Sequence, residues 1–299
     1  MKTLLWLFLS CLFLCFAVPV AHSDPALEFI QQLPTGIINW TRGSVKATGS
    51  SSEIDINHYP DRVREHEDKT DQAFKKATHN LMLTLTRMRM NNRNCVFDIL
   101  NTEAHVQDKV REMTSGARVV QERPLEQGGV EVTVEMSLFG GFAQLMLPPD
   151  IRQVESIKPL ISPRTDNYQN AGSDTLAQDS PRTRPNGYTG LLVDARGIEA
   201  NPSMVPVLLN ENGQEVYGPA YVSREFAVQH GMCRYVRGDV PDASAFSQVA
   251  PNPLIVKGLR TATDGSCDII ISNADASKLR GTSSHLEFLK RCRVVIILD

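Results

Sequence analysis

The chain has 299 residues, 41% of them hydrophobic, and its 31 Lys and Arg against 34 Asp and Glu give a net charge of −3. That is longer than one core usually fills, so two domains are expected, and the acidic balance excludes a basic nucleic-acid surface or attachment to anionic lipid through basic residues. Six cysteines in a chain of this length are too few for a disulfide scaffold.

Residues 1–23 have the order of a secretory leader: Lys2, an uncharged apolar run from Leu4 to Val20, and the small residues Ala21 and Ser23 flanking His22. The run is about 17 residues, near the lower limit for a membrane span, and Asp24 follows it where a stop-transfer signal would be basic. A cleaved leader is therefore expected, with an uncleaved anchor as the alternative. Lipidation fits poorly, since cleavage ahead of Cys11 would leave too short an apolar run and Cys15 follows the bulky Leu14. Cleavage leaves Cys95, Cys233, Cys267 and Cys292, no two at C-x-x-C spacing, and a net charge of −4 from 30 basic and 34 acidic residues.

Residues 24–160 read as an α+β unit of strand, long helix, helix and hairpin. Ile37 to Ala47 mixes β-branched residues and Trp40 with polar ones, as a strand with an exposed face would. Asp61 to Met90 lacks Pro and Gly, and Phe74, Ala77, Leu81, Leu85 and Met88 form one stripe of a long helix. Arg62, Arg64, Glu65, Glu67, Asp68 and Lys69 supply its solvated face. A second helix carries Ile99, Val106, Val110 and Met113 and stops at Gly116. Val130, Val132, Val134, Met136 and Leu138 then alternate with polar residues, a strand with one buried face that pairs with Ala117 to Arg123 through the turn Glu126–Gly129.

Residues 161–187 are Ser-, Asn- and Pro-rich and almost without large apolar side chains, which predicts a disordered or extended linker. Residues 188–299 alternate strand and helix as an α/β domain. Strands are expected over Thr189–Ala195, Met204–Asn210, Gln214–Tyr217, Pro253–Leu259, Asp268–Ser272 and Arg293–Leu298. Helices are expected from Ser223 to Gly231, from Asn273 or Asp275 to Gly281, and over His285–Arg291 behind a Ser284/Glu287 capping box. The fold class is thus α+β / α/β: an N-terminal helix-covered antiparallel sheet and a C-terminal α/β sandwich-like domain. Cys267 and Cys292 each precede a strand, so they could form a disulfide if those strands are parallel neighbours; buried free thiols are the alternative.

No catalytic pattern outweighs its structural reading. Asp194 ends an apolar strand and could act as a base or metal ligand, yet Arg196-Gly197 stand where a metal amidase wants a histidine, so a structural turn or ion pair is the simpler reading. The seven histidines form no zinc-helix pair, and neither G-x-S-x-G nor a P-loop occurs: Phe139-Gly140-Gly141-Phe142 reads as a bend. His230 and Cys233 invite a thiol-protease reading but have no evident orienting group. Asn39-Trp40-Thr41 fits the N-glycosylation pattern, although Trp40 is more simply a core anchor. No cofactor or metal is expected.

Asn39-Trp40 through Ala47-Thr48-Gly49, the helix Ala73–Leu85, the following helix and the hairpin Gly129–Leu138 together resemble the LPP-twenty-like bacterial envelope lipoproteins and the N-terminal domain of flagellar assembly protein T. The acylated cysteine of those lipoproteins has no good counterpart here. Tyr217–Glu225 and Asp268–Ala276 look like the tails of uncharacterised exported bacterial proteins, which implies a location and no activity. Within these two segments Arg224, Glu225, Asn273 and Asp275 are polar residues at helix starts and are the interaction candidates.

The expected protein is periplasmic or outer-membrane associated and non-catalytic. It acts through contacts with other envelope proteins or a second copy of itself, in assembly of an envelope or flagellar structure, with no nucleic acid and no membrane span once the leader is cleaved. The rival is a periplasmic hydrolase of cell-wall material using Asp194, which would need Asp194 in a pocket with another titratable group.

Overall fold

A computed structural model describes residues 28–51, 62–126, 128–152, 187–238 and 246–299; the leader and all of the expected linker except Gly187 lie outside them. The protein is α+β, with one antiparallel and one mixed sheet.

The first sheet contains β1 (Ile30–Leu33), β2 (Gly36–Asn39), β3 (Ser44–Ser50), β4 (Arg118–Pro124) and β5 (Val130–Ser137), in the order β1-β2-β3-β5-β4. Valines 130, 132 and 134 are buried while Glu131, Thr133 and Glu135 look outward. The outer face carries a charge ladder: Lys46 and Arg118 flank Glu135 at 3.5 and 2.9 Å, and Arg123 meets Glu131 at 2.6 Å. Opposite-sign cross-strand pairs let this face remain in water while the other is packed.

Helix α1 (Arg62–Thr86) covers the buried face, with Ala77, Leu81 and Leu85 fully enclosed. Its backbone approaches β3 closely because the contact residues are small: a Cβ on Gly49 would stand 2.2 Å from the Ala77 nitrogen and 2.4 Å from the Ala73 oxygen. Lys69 departs from the expected solvated face. It is buried, and its ammonium donates to the Gly128 carbonyl at 2.8 Å, tying α1 to the β4–β5 turn.

Three expectations in this half are corrected. The single strand over 37–47 is a hairpin, because Trp40–Gly43 turn the chain and Gly43 takes a φ of 65°. The second helix is two, α2 (Val96–Thr102) and α3 (Ala104–Ser115): Glu103 leaves helical geometry where Thr102 and Glu103 interrupt the apolar stripe. The Phe139–Phe142 bend leads into a further helix, α4 (Gly141–Met146).

The second sheet contains β6 (Gly190–Asp194), β7 (Leu208–Leu209), β8 (Glu215–Tyr217), β9 (Arg234–Arg237), β10 (Pro253–Thr261), β11 (Ile269–Ile271) and β12 (Val294–Leu298), ordered β8-β7-β11-β10-β6-β12-β9. Strands β10, β6, β12 and β9 are mutually parallel, whereas β11 runs antiparallel to β10. Helices α5 (Arg224–His230), α6 (Asn273–Arg280) and α7 (Ser283–Lys290) send their buried side chains into one main core. Among the described residues, the opposite face of the sheet holds a small cluster of Leu192, Val236, Val249, Val295 and Ile297. Among the described residues these helices lie on one face of the mixed sheet, an α+β arrangement. Helix α7 is capped at Thr282, without the predicted Ser284/Glu287 box.

The main core is continuous from Ile38 in the first sheet to Leu298 in the second. Thr41 accepts the Phe29 N–H at 2.7 Å and donates to the Tyr235 carbonyl at 2.5 Å, the Trp40 and Tyr235 rings meet edge-on at 5.7 Å, and Glu28 bridges Val236. Farther along, Met204 and Val205 donate main-chain hydrogen bonds to Arg89 and Met90.

Candidate functional site

In an open sheet, ligands commonly sit beyond the carboxyl ends of parallel strands, where the chain departs in opposite directions. Strand β6 occupies that position, between β10 and β12, and Asp194 is its last residue. Arg196 grips this carboxylate as a fork, Nε to Oδ1 and Nη2 to Oδ2, both at 2.8 Å. The arginine hydrogen bonds hold the Asp194 carboxyl below its usual range against a smaller opposing effect of burial. Beside it, Gly197, at φ 76°, donates its N–H to the Asp299 carboxylate at 3.0 and 3.1 Å. Arg237 donates to the Asp299 carbonyl at 3.0 Å and lies over the Phe29 ring. Asp194 thus sits among paired charges, and it lines neither lobe of the cleft described below.

The interaction candidates lie at the other edge, because β11 runs antiparallel to β10 and so points toward the edge at which the parallel strands begin, and the Ser223 N–H donates to the Lys290 carbonyl just ahead of β12. They have different tasks. Arg224 closes over the end of α4, donating to the carbonyls of Gln144 at 2.7 Å and Pro148 at 2.8 Å, so it is an internal clamp between the two sheets. Asp275 belongs to the cap of α6: its N–H meets the Ser272 hydroxyl at 3.0 Å and its carboxylate accepts from that hydroxyl at 2.8 Å. The Asn273 N–H is taken by the Glu211 carboxylate at 2.8 Å, leaving its exposed side chain outward, and Glu225 is exposed. Glu225 and Asn273 are the two candidates that present a side chain to solvent.

The expected Cys267–Cys292 bridge is not formed; all four described cysteines are free. The premise of adjacent strands fails, since β10 and β6 intervene between β11 and β12, and three strand spacings come to about 14 Å. Burial pushes the Cys267 thiol up to about 11 and that of Cys292 up to about 12. Cys233 is buried and raised further by the same cause, the reverse of an activated nucleophile. Asn39 is buried, with its amide donating to Glu28 at 2.6 Å, so it is not placed to carry a glycan. Among the described residues, no group of three or more His, Cys, Asp or Glu is placed to hold a metal ion. No described helix is long and apolar enough to cross a membrane.

An open two-lobed cleft leaves no mark in the residue pattern. One lobe, of about 640 Å³, lies between α3 and α4 and is walled by Met113, Met136, Phe139, Phe142 and Leu145 with Lys109 and Glu112 at its rim. The second, of about 480 Å³, continues past Met113 and Met136 toward Arg42 and Arg118. Its walls come from three separate segments, and in the sequence Met113 and Met136 each belong to an apolar stripe that reads as core.

Fold and site together define an α+β protein with two sheets on one core and with its candidate acid held in an ion pair. Residues 190–299, from the first residue of β6 through β12, match the family model described as the second domain of Treponema pallidum Tp0624. No curated protein matches the chain.

Proposed function

We propose that this is an exported bacterial envelope protein that works without catalysis, through contacts with other proteins, in assembly of an envelope or flagellar structure. The observation that carries this reading is the Asp194–Arg196 fork. A general acid or base needs a free or poised proton site, and a carboxylate held ionised by a neighbouring guanidinium at 2.8 Å offers neither. The likeness of residues 190–299 to a Treponema pallidum domain supports a bacterial setting, while no family match covers the first half, whose resemblance to envelope lipoproteins stays part of the proposal. The leader-like residues 1–23 support export.

The test follows the chain in a bacterial host. Protein from the periplasm is expected to begin after Ser23 and to give discrete cross-linked species that fade in a Glu225→Arg/Asn273→Arg variant. Release of cell-wall fragments by the purified chain, lost in Asp194→Asn, would establish the hydrolase instead.

A further inference from the structure

Strand β9 closes one side of the seven-stranded sheet and opens on Arg234. Its neighbours Cys233 and Tyr235 enter the main core, so alternation turns the Arg234 side chain to the opposite face, beside Val236 and across from Val295 of β12. The residue is half-buried, and its Nε is enclosed without a hydrogen-bond partner. Burial lowers the pKa of the guanidinium, and among the described residues no carboxylate opposes that effect. Arg224 and Arg293, also half-buried, each donate to two or more carbonyls. Glu28 bridges Val236 on the open side of β9, yet its carboxylate is taken by Asn39 at 2.6 Å and Arg42 at 2.5 Å. Gln248 gives its amide N–H to the Cys292 carbonyl at 2.7 Å, just ahead of β12, and its buried Oε1 meets no donor, so it does not serve Arg234.

We propose that Arg234 is the base of an oxyanion site at the β9 rim, which takes one carboxylate or phosphate group on the Nε edge of the guanidinium. The charge decides the class of ligand. An unpaired cation held out of water is costly, and a water molecule would satisfy the N–H without offsetting that charge. An aromatic ring would take the cation on its face and leave the in-plane Nε donor empty. An oxyanion meets both needs, since two of its oxygens match the parallel N–H groups of Nε and one Nη. Val236 and Val295 beside the guanidinium are fully enclosed, and a contact with water excluded is the stronger for it. Two sources share this chemistry, a free small acid and an acidic side chain of a partner. In the second case the site serves the contact function proposed above, and the test separates the two.

The chain carrying 15N-arginine is titrated with sodium phosphate and with sodium acetate, against sodium chloride of equal ionic strength, and the Nε–H resonances are followed. A saturable shift of the Arg234 resonance is expected with phosphate or acetate and not with chloride, while that of the exposed Arg237 on the same strand keeps its position. Arg234→Lys, which keeps the charge but cannot fork, should weaken binding by about tenfold or more. Arg234→Met is expected to show a higher Tm than the parent in chloride, and to lose the rise in Tm that the bound anion gives the parent. An Arg234 resonance unmoved by both anions, an equal shift in chloride, or undiminished binding by Arg234→Lys would overturn the proposal. So would a lower Tm for Arg234→Met in chloride, because the guanidinium would then already have its partner. Cross-linked species that fade in Arg234→Gln identify a partner's acidic side chain as the source, and species that persist identify a free small acid. Absence of any cross-linked species would refute the contact function, while the titration would still decide the site.

Discussion

At the scale of single residues, the polar side chains near helix starts hold the molecule together more than they advertise it. Arg224 is the clearest case, since its guanidinium satisfies carbonyls at the end of α4 some eighty positions earlier. Arg224→Ala is expected to cost about 2 kcal/mol in urea unfolding, and Arg224→Lys to recover little, because an ammonium cannot span several carbonyls at once. The sequence marked Arg224 as notable but could not reveal this role: a carbonyl acceptor exists at every position and leaves no trace in the residue letters. Glu215 makes a second case. Burial, reinforced by Asp150 and Asp268, raises its carboxyl pKa, so its native state favours the proton. Its stabilising contribution is therefore present below the ordinary carboxylate pKa of about 4.3 and lost as pH rises through the raised native value. Glu215→Gln should raise Tm at pH 7.5 and make no difference near pH 4; the same gain at both pH values would show that ionisation is not the cause.

Among the elements, the β2–β3 turn is locked from outside. A Cβ on Gly43 would lie 2.1 Å from the Phe139 ring, and the same ring comes within 3.0 Å of a Cβ on Gly231. Gly43→Ala combines a positive φ with that clash and is expected to cost about 2–4 kcal/mol. In a double-mutant cycle with Phe139→Ala part of that cost should return, leaving the backbone contribution; strict additivity would mean the ring is not the obstacle. Elements with a strong local period were legible in the sequence: β5 through its alternating valines, α1 through the stripe Ala77, Leu81, Leu85. Those set by tertiary contacts were not. Strand β9 has only Tyr235 and Val236 between two arginines, and becomes a strand because β12 offers it an edge. Helix α4 opens with the glycine of a pair that reads as a bend, and it is held by the Gly140 N–H on Val228 and by Arg224 from the other half. The cleft was illegible for the same reason, because its walls come from segments far apart in the chain.

For the whole molecule, the continuous core joins the two sheets more closely than the division of the sequence implies. Ile38, Trp40 and Tyr235 belong to one buried cluster, and Thr41 bonds to both halves. The two sheets are expected to unfold in one transition, with Trp40 fluorescence and far-UV circular dichroism giving coincident denaturation curves; separated curves would show independent halves. Thr41→Val keeps the shape but removes both bonds, and should lower the common midpoint instead of splitting it.

Glu28 bridges Val236 and Arg237 lies over Phe29, so residues 28 and 29 sit against the rim strand β9. Rim strands are where dissolved β-proteins zip onto one another and precipitate. With its own chain set against that rim, the seven-stranded layer has β8, three residues long, as its other border among the described residues.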